Sequence, residues 1–328
     1  IPMGYVNTFQ HDSNPKTFSS AFGNTTIAGG SSESEVHMEL ENYVDMVFAQ
    51  PETAKAYCRK LYRFFVKSEW SQDVEDDIIN PLANQLITSN FSVLEVTKTL
   101  LKSKHFFDED NSDSTDQIIG SIVKNPIQML SEMINLLQLQ LPNPEASYSP
   151  SPVSYTTDQI NFYKFHHSFC YFSFFPGSSV NPFSPDTVAG YPADYQGPNF
   201  DRSWFSSNTV IARYKLIESF ISGKNKINAP NTNIRVQFDT VDFVENSGIF
   251  SLASDAYTLV NDMAELIYCE SIDNDRIQYF MSVLNDLNPS YWNSAWYQYL
   301  QTGNDVQVRI RLEALFTKML NAAEFQLM

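Results

Sequence analysis

Apolar residues recur every three to four positions along much of this sequence, and that spacing restricts the fold more than any other feature. The clearest example is ENYVDMVFAQPETAKAYCRKLYRFFVKSEW, residues 41–70. Such a period places apolar side chains on one face of an α-helix. The alternation typical of a β-strand is found at Ile234, Val236 and Phe238. The sequence therefore predicts a mainly α, multi-helical globular fold with long irregular loops and at most a minor β element.

Capping residues predict where several helices begin, because Ser side chains can accept from free N–H groups and Pro fits the first turn. The candidate starting residues are Ser32 with Glu35, Pro51, Ser71, Ser92 and Pro126. We expect about five helices between residues 34 and 141. Helical spacing returns in residues 156–175, 208–221, 254–268, 275–287 and 308–325.

A proline-rich stretch divides the chain. PNPEASYSPSPVSYT has four prolines between residues 142 and 152 and is a poor helix and a poor strand. We therefore predict an N-terminal loop region over 1–33, a helical subdomain over 34–141, a linker over 142–155 and a second helical subdomain over 156–328. The second subdomain contains a long aromatic loop over 176–207.

Charge and composition exclude several classes of protein. The 328 residues include 38 acidic and 21 basic residues, a net charge of −17, which opposes binding to nucleic acid. No apolar run is long enough for a transmembrane helix. The three cysteines are far apart and form no CxxC pair, so we expect three buried thiols and no thiolate zinc site. No serine-hydrolase elbow, P-loop or dinucleotide motif is present, and we predict no cofactor.

The most unusual motif in this acidic chain is a basic row on one predicted helix. It consists of Lys55, Arg59, Lys60, Arg63 and Lys67. Four of these residues follow one another at intervals of four and therefore share a helix face. The row is either an ordinary solvated face paired with the acidic residues around 69–77 or a docking surface for an anion. Arg59, Lys60 and Arg63 are its candidate ligand-binding residues.

Acidic and histidine residues provide candidates for catalysis. A carboxylate beside an imidazole can orient it, which makes His11 and Asp12 candidate acid–base residues. Asp194 and Asp201, in the aromatic loop, are the other two. The segment over 108–116 begins like a calcium loop but lacks the required Gly and Glu, so it is not an EF-hand; a solvated loop or a looser calcium site remain as interpretations. We predict no metal site.

Aromatic side chains provide candidates for ligand contact. Tyr191 and Trp204 lie in the long loop, where rings need not belong to a core and can stack on sugars. Trp292, Trp296 and Tyr299 share one helix face, and such a stripe is more often core than platform.

Four motifs occur in a fixed order: HDSNPKTF, AQPETAKAYCRKLYRFFV, SPDTVAGYP followed by SWFSSNTVIARY, and AAEFQLM. In this order they resemble the C-terminal part of the bacterial family called domain of unknown function 1800, from His11 to Gln326. That family has an HD-x-x-x-K-T motif, a helix with R-K-L, a V-A-G-W-P loop and a terminal E-F-Q. Tyr191 stands where Trp is common in the family.

The resemblance implies a mostly helical protein that is exported, to the periplasm, the outer membrane or the extracellular space. It also implies an additional helical portion before this chain and a gene that often lies beside one for a sulfatase-like protein. It implies no established activity. Arg59 and Lys60 fall on the helix motif, and Arg213 falls on the ARY sequence, which makes Arg213 a further ligand-binding candidate.

These observations favour an exported or cell-envelope protein that binds an anionic polysaccharide or a partner protein, such as the sulfatase-like one. One alternative is a hydrolase of an extracellular polymer whose acid–base groups come either from His11 and Asp12 or from Asp194 and Asp201. The other is a structural assembly subunit. The residues do not distinguish between enzyme and non-enzyme, and the oligomeric state is left open.

Overall fold

A computed structural model of the chain describes residues 6–108, 118–139, 141, 164–185, 187–223, 236–286 and 288–328. The described residues contain fourteen α-helices and one two-stranded sheet. The prediction of a mainly α fold with a minor β element is therefore confirmed. The linker predicted over 142–155 and most of the calcium-loop-like segment lie outside the described residues.

Contacts divide the chain into two compact units, residues 1–118 and 119–328. Each unit is described by itself below. The helix that begins at Pro126 lies in the second unit. The subdomain boundaries expected from the proline-rich stretch stay a prediction.

The first unit begins with a small hairpin and a long helix. Strand β1 (Lys16–Thr17) pairs antiparallel with β2 (Thr26–Ile27), and a 3₁₀ turn (Ser20–Phe22) lies between them. Helix α1 (Glu33–Phe48) starts at the predicted capping box, in which Ser32 accepts from the backbone of Glu35 and the Glu35 side chain accepts from the backbone of Ser32.

The remaining helices of the first unit surround a core of their own. They are α2 (Pro51–Phe65), α3 (Gln72–Val74), a π-helical turn (Glu75–Ile79), α4 (Asn80–Thr88) and α5 (Val93–Leu101). Ser71 caps α3 by accepting from the Val74 N–H. The core contains Ala54, Cys58, Tyr62, Ile79, Leu86, Val96 and Leu100, all buried. The spacing of these residues matches the apolar period of the sequence.

The second unit contains nine further α-helices in its described part. They are α6 (Pro126–Leu136), α7 (Phe175–Gly177), α8 (Pro192–Tyr195), α9 (Ser207–Ser222), α10 (Thr240–Asn246), α11 (Ala256–Ile267), α12 (Asn274–Asn285), α13 (Tyr291–Thr302) and α14 (Val306–Leu320). A π-helical segment (Lys164–Phe174) and 3₁₀ turns (Phe200–Trp204, Ala323–Gln326) complete it. Buried residues of α14 lie at the centre of its core, among them Leu312, Leu315 and Phe316.

Two expectations about local structure were wrong. The strand indicated by Val236 and Phe238 does not form in the described residues, because Asp239 accepts from the N–H groups of Val241 and Asp242 and starts α10 instead. Phe238 is buried and its N–H donates to the Phe220 carbonyl. Of the three thiols, Cys58 and Cys170 are buried, but Cys269 is exposed.

Candidate functional site

The N-terminal loop and α1 form a pocket of about 290 Å³ in the first unit. We call it the His11 pocket. Its apolar wall consists of Phe18, Ile27, Val36, Leu40 and Tyr43, and its polar edge consists of His11, Lys16 and Glu39. The rings of Phe18 and Tyr43 lie 5.7 Å apart and are tilted relative to each other.

Glu39 is the centre of the polar edge. One carboxylate oxygen accepts from His11 Nε2 and from the Gly30 N–H, both at 2.8 Å. The other oxygen lies 2.7 Å from Lys16 Nζ. Hydrogen bonds from Lys16, His11 and Gly30 stabilise the charged form and lower the pKa of Glu39 to about 2. Glu39 is therefore ionised at neutral pH and balances the charge of Lys16.

Tight backbone packing brings His11 to Glu39. A Cβ on Gly29 would lie 2.2 Å from the Ser13 carbonyl oxygen, and a Cβ on Gly30 would lie 2.4 Å from the backbone N of Val36. Only glycine fits such close approaches of backbone to backbone. The two glycines thus let the loop that carries His11 lie against the start of α1.

Asp12 has a local structural role. Its carboxylate accepts from the backbone N–H and the side-chain amide of Asn14, and these bonds lower the pKa of Asp12. Its backbone carbonyl accepts from Lys16. The carboxylate partner of His11 is therefore Glu39, and the predicted pairing of His11 with Asp12 is replaced by a pair that joins two elements.

Sequence reasoning missed Glu39. His11 and Lys16 are both fixed positions of the HD-x-x-x-K-T motif, and both contact this one carboxylate. Helix α1 has four glutamates, and its sequence does not indicate which of them faces the motif. The motif provides two basic side chains but no local signal for their carboxylate partner, which lies 28 positions from His11.

On the basic row of α2, Arg59 is engaged within the chain. Its guanidinium donates to both carboxylate oxygens of Glu75 and also pairs with Glu52. These hydrogen bonds raise the pKa of Arg59 and lower that of Glu75. Arg63 lies over the ring of Trp70, 5.4 Å from its centre, and burial lowers its pKa. Lys60 is exposed.

The aromatic-loop candidates pack on each other. Trp204 is only 7% exposed, and its ring lies 5.5 Å from that of the half-buried Tyr191. The Tyr191 hydroxyl donates to the Asn181 carbonyl. Asp201 accepts from the Val123 N–H at 2.8 Å, and burial raises the pKa of Asp194. The acid–base candidates are thus divided, with His11 and Asp12 in the first unit and the two loop aspartates in the second.

Arg213 is fully buried. Its hydrogen-bond partners in the described part of the chain are all neutral: the Lys124 carbonyl, the Gln326 side-chain oxygen and the Met129 sulfur. Burial lowers the pKa of Arg213 to about 10. Trp292 and Trp296 are also buried, as their shared helix face predicted.

A second feature of the first unit is an apolar stripe that α1 leaves uncovered. We call it the α1 face, formed by Val36, Leu40, Tyr43, Val44 and Phe48, residues that share one side of the helix at intervals of three and four. Leu40 is 57% and Val44 is 41% exposed. Three of the five residues also belong to the wall of the His11 pocket.

Metal and membrane signals are missing from the part of the chain that the structure describes. None of its histidine, cysteine and carboxylate residues form a group of three that could hold a metal ion. None of its helices has the length and hydropathy needed to cross a bilayer.

Comparison with known proteins identifies one family. A family model described as "Protein of unknown function (DUF1800)" matches residues 3–327, which is nearly the whole chain. No curated protein matches the chain, and no solved structure matches it.

Proposed function

The chain belongs to the DUF1800 family of proteins of unknown function, and from that premise we propose that its first unit binds a partner protein along the α1 face. The partner segment in this proposal is a basic amphipathic helix. The proposed role of the first unit is binding, without a catalytic step.

One observation carries the proposal: α1 has sixteen residues and only Met46 among them is buried. In proteins, most of the stability of a helix comes from the packing of its apolar face against other elements. Large exposed apolar patches on soluble proteins usually mark interaction sites. A helix with an apolar stripe that its own unit leaves exposed is best explained by a second macromolecule that covers it.

Aromatic contacts extend the α1 face beside Tyr43 and at its C-terminal end. Tyr43 contacts Phe18, and Phe18 contacts Phe22 with 6.1 Å between ring centres. At the C-terminal end Phe48 packs edge-on against Phe91 at 4.7 Å. From Val36 to Phe48 the face is about 18 Å long, which is more than three helical turns. A surface of this length fits a partner helix of several turns better than a small molecule.

Charge supports a basic partner. Helix α1 carries Glu33, Glu35, Glu39, Glu41 and Asp45 and contains neither Lys nor Arg. Acidic residues therefore border the apolar stripe, in a chain whose net charge is −17. A partner helix with Lys or Arg beside its apolar stripe would complement both features, and the attraction would raise its association rate.

An anionic polysaccharide, the other ligand favoured by the sequence, has less support. The cationic contacts proposed for it on α2 were Arg59, Lys60 and Arg63. Arg59 already donates hydrogen bonds to Glu75 and Glu52, and Arg63 lies against Trp70. Lys60 alone is an exposed cation of the three, and a single exposed charge contributes little.

Export is part of this proposal and rests only on what the resemblance of the four sequence motifs implies. The partner would then be another exported protein, and the sulfatase-like protein remains a candidate. Fractionation of cells that produce the protein from its own gene tests this part, because export requires recovery outside the cytoplasm.

A designed helical peptide tests the binding proposal. The probe has leucines on one face and lysines beside them, and the control peptide has the same composition in scrambled order. We expect the amphipathic probe to bind the full chain and Leu40→Asp to weaken binding about tenfold. Fluorescence anisotropy of the labelled peptide measures both affinities.

The matched control is Leu94→Asp, which adds the same charge at a 63% exposed residue of α5 in the same unit. It should leave the affinity unchanged or slightly increased, since added negative charge attracts the peptide. Equal weakening by both variants, or equal binding of the scrambled peptide, would contradict the proposal.

A further inference from the structure

We infer that the His11 pocket is a binding site for an aromatic side chain with a polar edge, tryptophan or tyrosine, supplied by the partner. This inference rests on the proposed function and adds where the partner is anchored and by what chemistry.

Size limits the occupant. The pocket measures about 290 Å³, at the lower end of the range for small-molecule sites. That volume accommodates one large side chain but not a chain of sugars. Binding energy at protein interfaces is concentrated in a few aromatic and arginine side chains that fill such pockets.

The apolar wall of the His11 pocket favours an aromatic side chain. Phe18 and Tyr43 present rings, and Ile27, Val36 and Leu40 add aliphatic surface. The two ring centres lie 5.7 Å apart, within the range of interacting aromatic pairs. A third ring can add to such a pair by an edge-to-face contact.

The polar edge selects against a charged occupant. Lys16 and Glu39 neutralise each other within 2.7 Å, and Glu39 also accepts from His11 and Gly30. An arginine or carboxylate placed here would lose hydration without gaining an unpaired counter-charge. His11 lines this edge and uses Nε2 for its hydrogen bond to Glu39, so in this proposal Nδ1 pairs with one polar group of the occupant. An indole N–H or a phenol hydroxyl provides such a group on an apolar body.

The pocket is continuous with the α1 face. Val36, Leu40 and Tyr43 belong to both. A segment that lies along α1 therefore passes the pocket opening and can insert one side chain while its other apolar residues contact Val44 and Phe48.

N-acetyl-tryptophanamide is the probe for this site, titrated into the methyl-labelled full chain and followed by NMR. We expect saturable shifts of the Ile27, Val36 and Leu40 methyl signals with a dissociation constant of about 1 mM. N-acetyl-glutamate should produce no such shifts. Absence of tryptophanamide shifts, or equal shifts with the glutamate derivative, overturns the inference.

Two substitutions in the His11 pocket test whether tryptophanamide binds there. Val36→Phe fills the pocket and Tyr43→Ala removes one ring, so each should weaken tryptophanamide binding about tenfold. Leu94→Phe also adds a phenyl ring, but at an exposed residue of α5, and it should leave tryptophanamide binding unchanged. Unchanged binding in both pocket variants, with their fold confirmed by the remaining methyl spectrum, overturns the assignment.

The helical peptide separates this inference from the proposed function. If the peptide binds the α1 face but tryptophanamide does not bind the pocket, the inference fails alone. If tryptophanamide binds the pocket but the peptide shows no preference for the α1 face, the proposed function fails, and the pocket remains an aromatic-binding site with no partner assigned to it.

Discussion

Glu39 is the residue on which the N-terminal loop depends. Its carboxylate connects the loop at His11, the strand at Lys16 and the backbone of Gly30 to α1. Because the folded chain lowers the pKa of Glu39 from 4.5 to about 2, its contribution to stability is present above pH 4.5. That contribution is lost as the pH falls from 4.5 towards 2.

Glu39→Gln should therefore lower the melting temperature of the first unit at neutral pH, and the difference from the wild type should shrink between pH 4.5 and 2. Thermal unfolding at a series of pH values measures this difference. Glu41→Gln, on the same helix, is the control, and no comparable pH-dependent difference is expected for it. A constant difference at every pH would show that the charge of Glu39 is unimportant.

Arg213 provides a second test at the residue scale. Arg213→Met should cost about 3 kcal/mol of unfolding free energy, because the Lys124 carbonyl and Gln326 oxygen lose their buried donor. Lys215→Met, at an exposed position of the same helix, should change stability by less than about 0.5 kcal/mol. Denaturant unfolding compares the two. Equal effects would mean that the hydrogen bonds of Arg213 add nothing.

Single residues differ in how far the sequence could predict their roles. The burial of Trp292 and Trp296 followed from their spacing. Arg213 was chosen as a ligand contact, and the structure places it in the core of the second unit, bonded to groups distant in sequence. Glu39 was missed for a similar reason, since its partner His11 is 28 positions away. Long-range pairing of this kind leaves no local pattern.

At the scale of elements, the last residues of the chain form part of the second unit's core. Phe325 is fully buried beneath Lys124, whose Nζ lies 4.4 Å from the ring centre. The backbone of Lys124 donates to Gln326, and Ile122 and Met328 exchange two hydrogen bonds. The terminal E-F-Q motif therefore belongs to the core of the second unit and is hydrogen-bonded to its first residues.

Phe325→Ala should destabilise the second unit by about 3–5 kcal/mol, the usual cost of removing a buried phenyl ring. Phe183→Ala removes the same ring from a site that is 86% exposed and should cost less than about 0.5 kcal/mol. Chemical denaturation gives both values. A cost near zero for Phe325→Ala would show that the terminal motif does not stabilise the unit.

Elements were predicted best where a start signal and a periodic stretch coincide. Ser32, Pro51 and Pro126 each lie at the start of a helix as expected. The strand signal at Val236 and Phe238 failed, because alternation over so few residues also fits an extended segment buried against helices. The hairpin of β1 and β2 is two residues long on each side and was too short to predict.

At the scale of the whole molecule, each unit has its own hydrophobic cluster. Leu86 is fully buried in the cluster of the first unit, so Leu86→Ala should cost that unit about 2–5 kcal/mol. Hydrogen exchange read separately over α4 and α14 measures the effect. Greater loss of protection in α14 than in α4 would contradict the assignment of Leu86 to the first unit's core.

Site-specific photo-crosslinking in the organism that encodes the chain tests whether the α1 face binds a partner protein. A photoreactive residue is placed at Leu40, or at Leu94 as the control. We expect Leu40 alone to crosslink to a partner, at a basic helical segment identified by mass spectrometry. No crosslink at Leu40, or the same products at both positions, would contradict it.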